Sequence, residues 1–106
     1  MGKFGAYNKF TAQAGQRDAL VGVLLDAAAA QAVDSCELYI VNVSESEPDA
    51  IWVTEIWASE ADQQASLALE STKAVIRQAI PLIAGPIESI RIVPVGGKGF
   101  ATDRRL

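Results

Sequence analysis

Cys36-Glu37-Leu38-Tyr39-Ile40-Val41-Asn42-Val43, the polar turn Ser44-Glu45-Ser46-Glu47-Pro48-Asp49 and Ile51-Trp52-Val53-Thr54-Glu55-Ile56-Trp57 decide the fold of this chain. Both apolar segments are β-branched and aromatic, so each reads as a strand. The turn closes on Pro48-Asp49 and joins them as a hairpin whose loop of about six residues is slightly long for its class. Apolar side chains occupy both phases. Cys36, Leu38 and Ile40 stand against Tyr39, Val41 and Val43; Trp52 and Ile56 stand against Ile51, Val53 and Trp57. A sheet with one wet face shows polar residues on one phase. Here both faces need cover.

On the N-terminal side, Phe4 to Phe10 alternates, with Phe4, Ala6, Asn8 and Phe10 on one face, and reads as a strand. Ala14-Gly15-Gln16 is a turn. Leu20, Leu24, Ala27, Ala28 and Gln31 then recur at helical steps, so the alanine-rich segment Arg17 to Ala32 reads as a helix. Past the hairpin, Ser59-Glu60-Ala61-Asp62 resembles a capping box with Asp in place of Glu. A helix follows to about Leu69, and Glu70-Ser71-Thr72 bends or restarts it. Thr72, Val75, Ile76, Ala79 and Ile80 form its second apolar face, and Pro81 ends it near Ile80. Gly85-Pro86 breaks the chain, Ile87 to Val95 is the last strand, and Gly96-Gly97-Lys98-Gly99 stops it.

The order β-α-β-β-α-β predicts a ferredoxin-like α+β fold: a split βαβ arrangement with an antiparallel sheet and helices on one face. The expected domain is single, spanning 1–106, with a core at about 3–95 and a loose or partner-contacting tail at 96–106. No element is left for the second sheet face. A second copy of the same sheet is the economical cover, which predicts a homodimer through the sheet face, a dimeric α+β barrel.

Composition narrows the function classes. At 106 residues, 50% hydrophobic and 21% charged, the chain is an ordinary globular domain and not a disordered one. A net charge of −4 disfavours phosphate backbones, and Arg104-Arg105 is too short a basic patch, so no nucleic-acid partner is expected. There is no histidine, which removes the commonest general base, metal ligand and proximal haem ligand. One cysteine, Cys36, makes neither an internal disulfide nor a multi-cysteine metal site, and beside Asp34 and Glu37 it reads as packing. No metal and no cofactor motif is found; Gly96-Gly97-Lys98-Gly99 lacks phosphate-loop spacing. Ala19 to Ala30, broken by Asp26, is shorter than the ~20 apolar residues of a membrane span. With no signal-peptide pattern and Ala6 where a myristoylation motif needs Ser or Thr, the expected location is cytoplasmic, away from membranes.

Four segments carry a resemblance: Lys3-Phe4-Gly5-Ala6-Tyr7-Asn8-Lys9-Phe10-Thr11, the turn at Gly15, Cys36-Glu37-Leu38-Tyr39-Ile40-Val41, and Thr54-Glu55-Ile56-Trp57-Ala58-Ser59-Glu60-Ala61. Together they resemble the antibiotic biosynthesis monooxygenase domain family from about Phe4 to Val95. The Glu-x-Trp strand followed by a Ser-capped helix is the most specific part. The resemblance implies a dimeric α+β barrel. It also implies a range of activities: cofactor-independent oxygenation of quinols and anthrones, haem degradation, or no assigned reaction. Haem-degrading members need a helix histidine with a tryptophan one or two turns before it. Ser66 and Ile76 stand at those places, so haem degradation is not expected. The first-strand asparagine is retained as Asn8.

Cofactor-free oxygenation asks little of a protein. It must exclude water, hold an aromatic plane and stabilise a phenolate or enolate as charge develops. Asn8, on an otherwise apolar phase, either donates to a substrate oxygen or bonds a backbone group or buried water. Ser66 either assists or bonds back to the preceding helical turn. Tyr39, Trp52 and Trp57 are pocket walls or core; the two tryptophans differ in parity, so at most one faces a helix-side pocket. Glu55, in an apolar run, is a general base or is paired with Arg91 or Lys9 across strands or across the dimer. The leading expectation is a cofactor-independent monooxygenase of a quinol-like or polycyclic aromatic substrate. Its rivals are a non-catalytic ligand-binding or dimerisation module and a cofactor-free isomerase using Glu55.

Overall fold

Alternation in β1 (Phe4–Thr11) turns Phe4, Ala6, Asn8 and Phe10 to one side, and the rest of the fold is built against that side. The computed structural model describes residues 2–30 and 35–98. The expected helix end at Ala32 and the tail from 99 to 106 lie outside them. Gln13-Ala14-Gly15-Gln16 closes a tight turn, with Gln16 N–H donating to the Gln13 carbonyl at 2.9 Å and Gly15 at φ +76°. That left-handed backbone at the third turn position favours glycine. Then come α1 (Arg17–Ala30), β2 (Cys36–Val43), β3 (Ala50–Trp57), α2 (Glu60–Leu67), α3 (Glu70–Ala79), a 3₁₀ turn (Ile80–Leu82) and β4 (Glu88–Ile92).

The four strands form one antiparallel sheet in the order β2-β3-β1-β4. With the helices on one face, this is the ferredoxin-like α+β fold that the element order predicts. The core lies between that face and α1. Leu20 and Leu24 from the helix are buried with Ile51 and Val53 from β3, and Ala27 is buried further along the same helix. Alanine at position 27 lets the helix approach closely, and burying each leucine contributes on the order of 1.5–3 kcal/mol.

The second helix restarts at Glu70, where the sequence predicts a bend or restart: Ala68 caps α2, and Leu69, in extended geometry, starts α3 with no side-chain cap. Ser59 caps α2 as expected, its Oγ accepting the Asp62 N–H at 3.1 Å. The last strand pairs only from Glu88 to Ile92 and not from Ile87 to Val95; Pro94 carries no N–H to extend the ladder. A bulge in β2 sets Cys36 opposite Trp57 but Leu38 opposite Ile56, with Glu37 the extra residue. Cys36 therefore shares the helix-side face with Tyr39 and Val41, contrary to simple alternation.

The open face of the sheet carries Tyr7, Leu38, Ile40, Trp52, Ile56, Ile90 and Ile92, as strand register and alternation dictate. Among these, Ile40 and Ile90 are 46% and 60% exposed, which is the two-sided apolar sheet read from the sequence. Trp52 belongs to this face, under the Lys9 ammonium at 5.3 Å from the ring centroid. No helix among the described residues is long and apolar enough to cross a membrane.

Candidate functional site

Register alone assembles a polar row across the helix-side face. Tyr39 of β2 lies directly opposite Glu55 of β3. Asn8 of β1 pairs with Val53, so it is the diagonal neighbour of Glu55 on the same face. Ser89 of β4 lies directly opposite Asn8. Trp57, two residues beyond Glu55, stays on its face. These five side chains floor a cavity of about 430 Å³ roofed by α2, α3 and the 3₁₀ turn. The size is that of a small-molecule pocket. The buried roof positions are small, Ser66 and Ala79, while Ile76 of α3 and Ile80 of the 3₁₀ turn line the void yet remain exposed.

The hydrogen bonds converge on one carboxylate. Asn8 Nδ2 donates to Glu55 Oε2 at 3.0 Å, and Trp57 Nε1 donates to Glu55 Oε1 at 2.8 Å. Ser89 Oγ donates in turn to Asn8 Oδ1. This fixes the amide with its nitrogen toward Glu55. The two cations that could have neutralised Glu55 are engaged elsewhere. Lys9, on the opposite face, pairs with Glu47 at 3.0 Å. Arg91 grips Glu60 with two nitrogens, at 2.7 and 2.8 Å. Within the chain the expected cross-strand pairing of Glu55 with Lys9 or Arg91 is thus corrected, because amide and indole donors take the place of charge.

Burial pushes the Glu55 carboxyl above its ordinary range, and the bonds from Trp57 and Asn8 offset that only in part. Burial, with the Glu55 charge beside it, also pushes the Tyr39 phenol up, so the tyrosine stays a neutral wall. The Cys36 thiol is raised for the same two reasons, burial first, and fits packing better than nucleophilic work.

Of the residues singled out from the sequence, Asn8, Tyr39, Glu55, Trp57 and Ser66 line the cavity. Trp52 does not; parity put one tryptophan on each face, and the helix side belongs to Trp57. Ser66 donates its hydroxyl hydrogen to the Gln63 carbonyl at 2.7 Å, the helical back-bond, which leaves only acceptor capacity toward the cavity. Ser89 was missed. Its place depends on the β1–β4 register, which no local pattern in the sequence reveals.

A family model described as antibiotic biosynthesis monooxygenase matches residues 4–78. A candidate antibiotic biosynthesis monooxygenase from Chloroflexus aurantiacus J-10-fl is 40% identical, with 93% of this chain and 99% of that chain covered and a TM-score of 0.85. One from Caulobacter crescentus CB15 is 23% identical, with 90% and 92% covered and a TM-score of 0.82. A Nitrosomonas europaea protein of unknown function is 24% identical, with 96% and 98% covered and a TM-score of 0.77. The last two bear on the fold alone. No match to a curated protein was found.

The raised carboxyl has a sign that stability measurements read. Above the ordinary carboxylate value the unfolded chain has lost the Glu55 proton while the folded chain still holds it. Stability attributable to this group therefore falls as pH rises through the raised folded value. Glu55→Gln has no proton to lose. In urea unfolding from about pH 4 to about pH 8, the variant gains on the wild type as pH rises across that window. A pH-independent difference contradicts the assignment.

Proposed function

The chain belongs to the antibiotic biosynthesis monooxygenase family, and from that premise we propose that it is a cofactor-independent monooxygenase of quinol-like or polycyclic hydroxyaromatic substrates. The observation that carries the reading is the Glu55 carboxylate, held by Asn8 and Trp57 at the floor of an apolar cavity. A base with a raised pKa in an apolar site suits removal of a phenol or enol proton. The substrate's electron-rich ring then supplies the electrons for dioxygen.

For a substrate with a reacting ring CH₂, the steps balance without another reductant. Glu55 takes the hydroxyl proton of the enol tautomer. The enolate carbon transfers electrons to O₂ and forms one C–O bond, giving a peroxide anion. Glu55 returns its proton to the distal oxygen. Loss of water, with the remaining C–H proton and the O–O bond broken, leaves a carbonyl; one oxygen atom enters the product and the other leaves as water. Asn8 has a second amide hydrogen that can steady the enolate oxygen, while Ser89 keeps the amide oriented. Tyr39 and Trp57 wall the ring, and Ser66 contributes an acceptor at the roof.

In this reading the protein works as a homodimer. Six of the seven apolar residues of the open sheet face are partly or well exposed in one chain, too many to leave to water, and a second sheet of the same pattern is a self-complementary cover. Cytoplasmic location fits a protein whose partner is a small aromatic molecule.

Oxygen uptake with a panel of hydroquinones and anthrones tests the chemistry. Wild type is expected to consume oxygen with at least one of them, and Glu55→Gln to lower kcat/KM by about 10²–10⁴-fold. Absence of uptake across the panel contradicts an oxygenase. Conversion that continues under nitrogen points instead to proton chemistry alone, as in an isomerase. Light scattering at micromolar concentration is expected to return twice the 11.2 kDa chain mass; a single-chain mass removes the dimer.

A further inference from the structure

The lining of the cavity is uneven in charge and in exposure, and both asymmetries bear on the ligand. Among the described residues that line it, Glu55 is the one charged side chain. Arg91, two residues along β4 from Ser89, is committed to Glu60 and stands over the Phe4 ring at 5.0 Å. Among the described residues, none on the floor carries a positive charge to neutralise an anionic ring substituent. A second negative charge beside Glu55, in surroundings of reduced dielectric, is strongly repelled.

The opposite end is apolar and open. Leu67, Ile76, Ile80 and Ile87 all line the cavity, yet they are 41%, 41%, 62% and 48% exposed. They come from α2, α3, the 3₁₀ turn and the segment before β4, so they form a collar around the mouth rather than a stripe along one helix. Exposed large apolar side chains that continue directly from a cavity wall are stabilised when a ligand's apolar portion covers them.

We infer that the cavity takes an uncharged hydroxyaromatic whose hydroxyl meets Glu55 and whose apolar substituent leaves between Leu67, Ile76, Ile80 and Ile87. This rests on Glu55 being the group that receives the substrate hydroxyl. It adds two selections: against a carboxylate on the ring, and for an alkyl substituent at the outer end.

Calorimetric titration under nitrogen with 4-alkylphenols, from methyl to hexyl, reads binding apart from turnover. Full burial of a methylene corresponds to about fourfold in affinity, so a half-covered collar is expected to give about a twofold to fourfold fall in Kd per added carbon. Ile80→Asn alters an exposed side chain, so the fold is retained; it is expected to flatten that slope. At about pH 8, 4-hexylphenol carrying a carboxylate next to its hydroxyl is expected to bind at least about thirtyfold more weakly than 4-hexylphenol. A Kd independent of chain length overturns the inference, as does a carboxylated probe that binds as tightly as its parent. Affinity that rises with chain length, without oxygen uptake in the hydroquinone panel, supports the collar and removes the oxygenase. A flat series with uptake does the reverse.

Discussion

The site depends on one unneutralised carboxylate kept in an apolar cavity by neutral donors. A buried charge without partners costs several kcal/mol, and proteins usually avoid that cost with a cation. Here the cations are placed out of reach. Lys9 is on the far face of the sheet, and Arg91 is bound to Glu60. The Asn8 amide and the Trp57 indole do the holding, one on each oxygen. Two N–H donors make ionisation possible without making it easy. A carboxylate clamped by arginine would be too stable to take a proton; one with no donors would not release its own.

The geometry of this arrangement is a property of the sheet. Tyr39, Glu55, Asn8 and Ser89 come from four different strands, and the β2-β3-β1-β4 order sets them side by side. A one-residue slip in any pairing would send one of them to the other face. Gly5 helps hold the β1–β4 register close: a Cβ there would lie 2.7 Å from Ile92 Cγ1. The cavity above the row comes from the helices. Small residues at the inward positions, and the break between α2 and α3, leave a void that a longer, larger-lined helix would fill.

Much of this was legible in the residues. Period-two and helical spacings and runs of β-branched and aromatic residues located the four strands and the helices, though not the 3₁₀ turn, and Ser59 marked the start of α2. The apolar outer phase of β2 and β3 announced an uncovered face. Asn8 and Glu55 stood out because each is polar in an apolar phase. What remained hidden is long-range. The partners of Glu55 depend on which strands neighbour β3 and in what register. Opposite charge pointed to Lys9 or Arg91, but the first faces away and the second is held by Glu60 at the start of α2. The bulge at Glu37 reversed the phase of Cys36, and periodicity carries no sign of an extra residue. Trp52 and Trp57 were correctly separated to two faces, yet only the packing of the helices decides which face has a pocket.

The most direct measurement is the titration of the Glu55 carboxyl carbon by NMR, alone and in the presence of a bound phenol. An isolated carboxyl in a dry cavity titrates above the protein's exposed glutamates, and its resonance moves when the phenol hydroxyl arrives. If Glu55 titrates together with the exposed glutamates and is indifferent to the phenol, the carboxylate is wet, and neither the base nor the pocket described here exists.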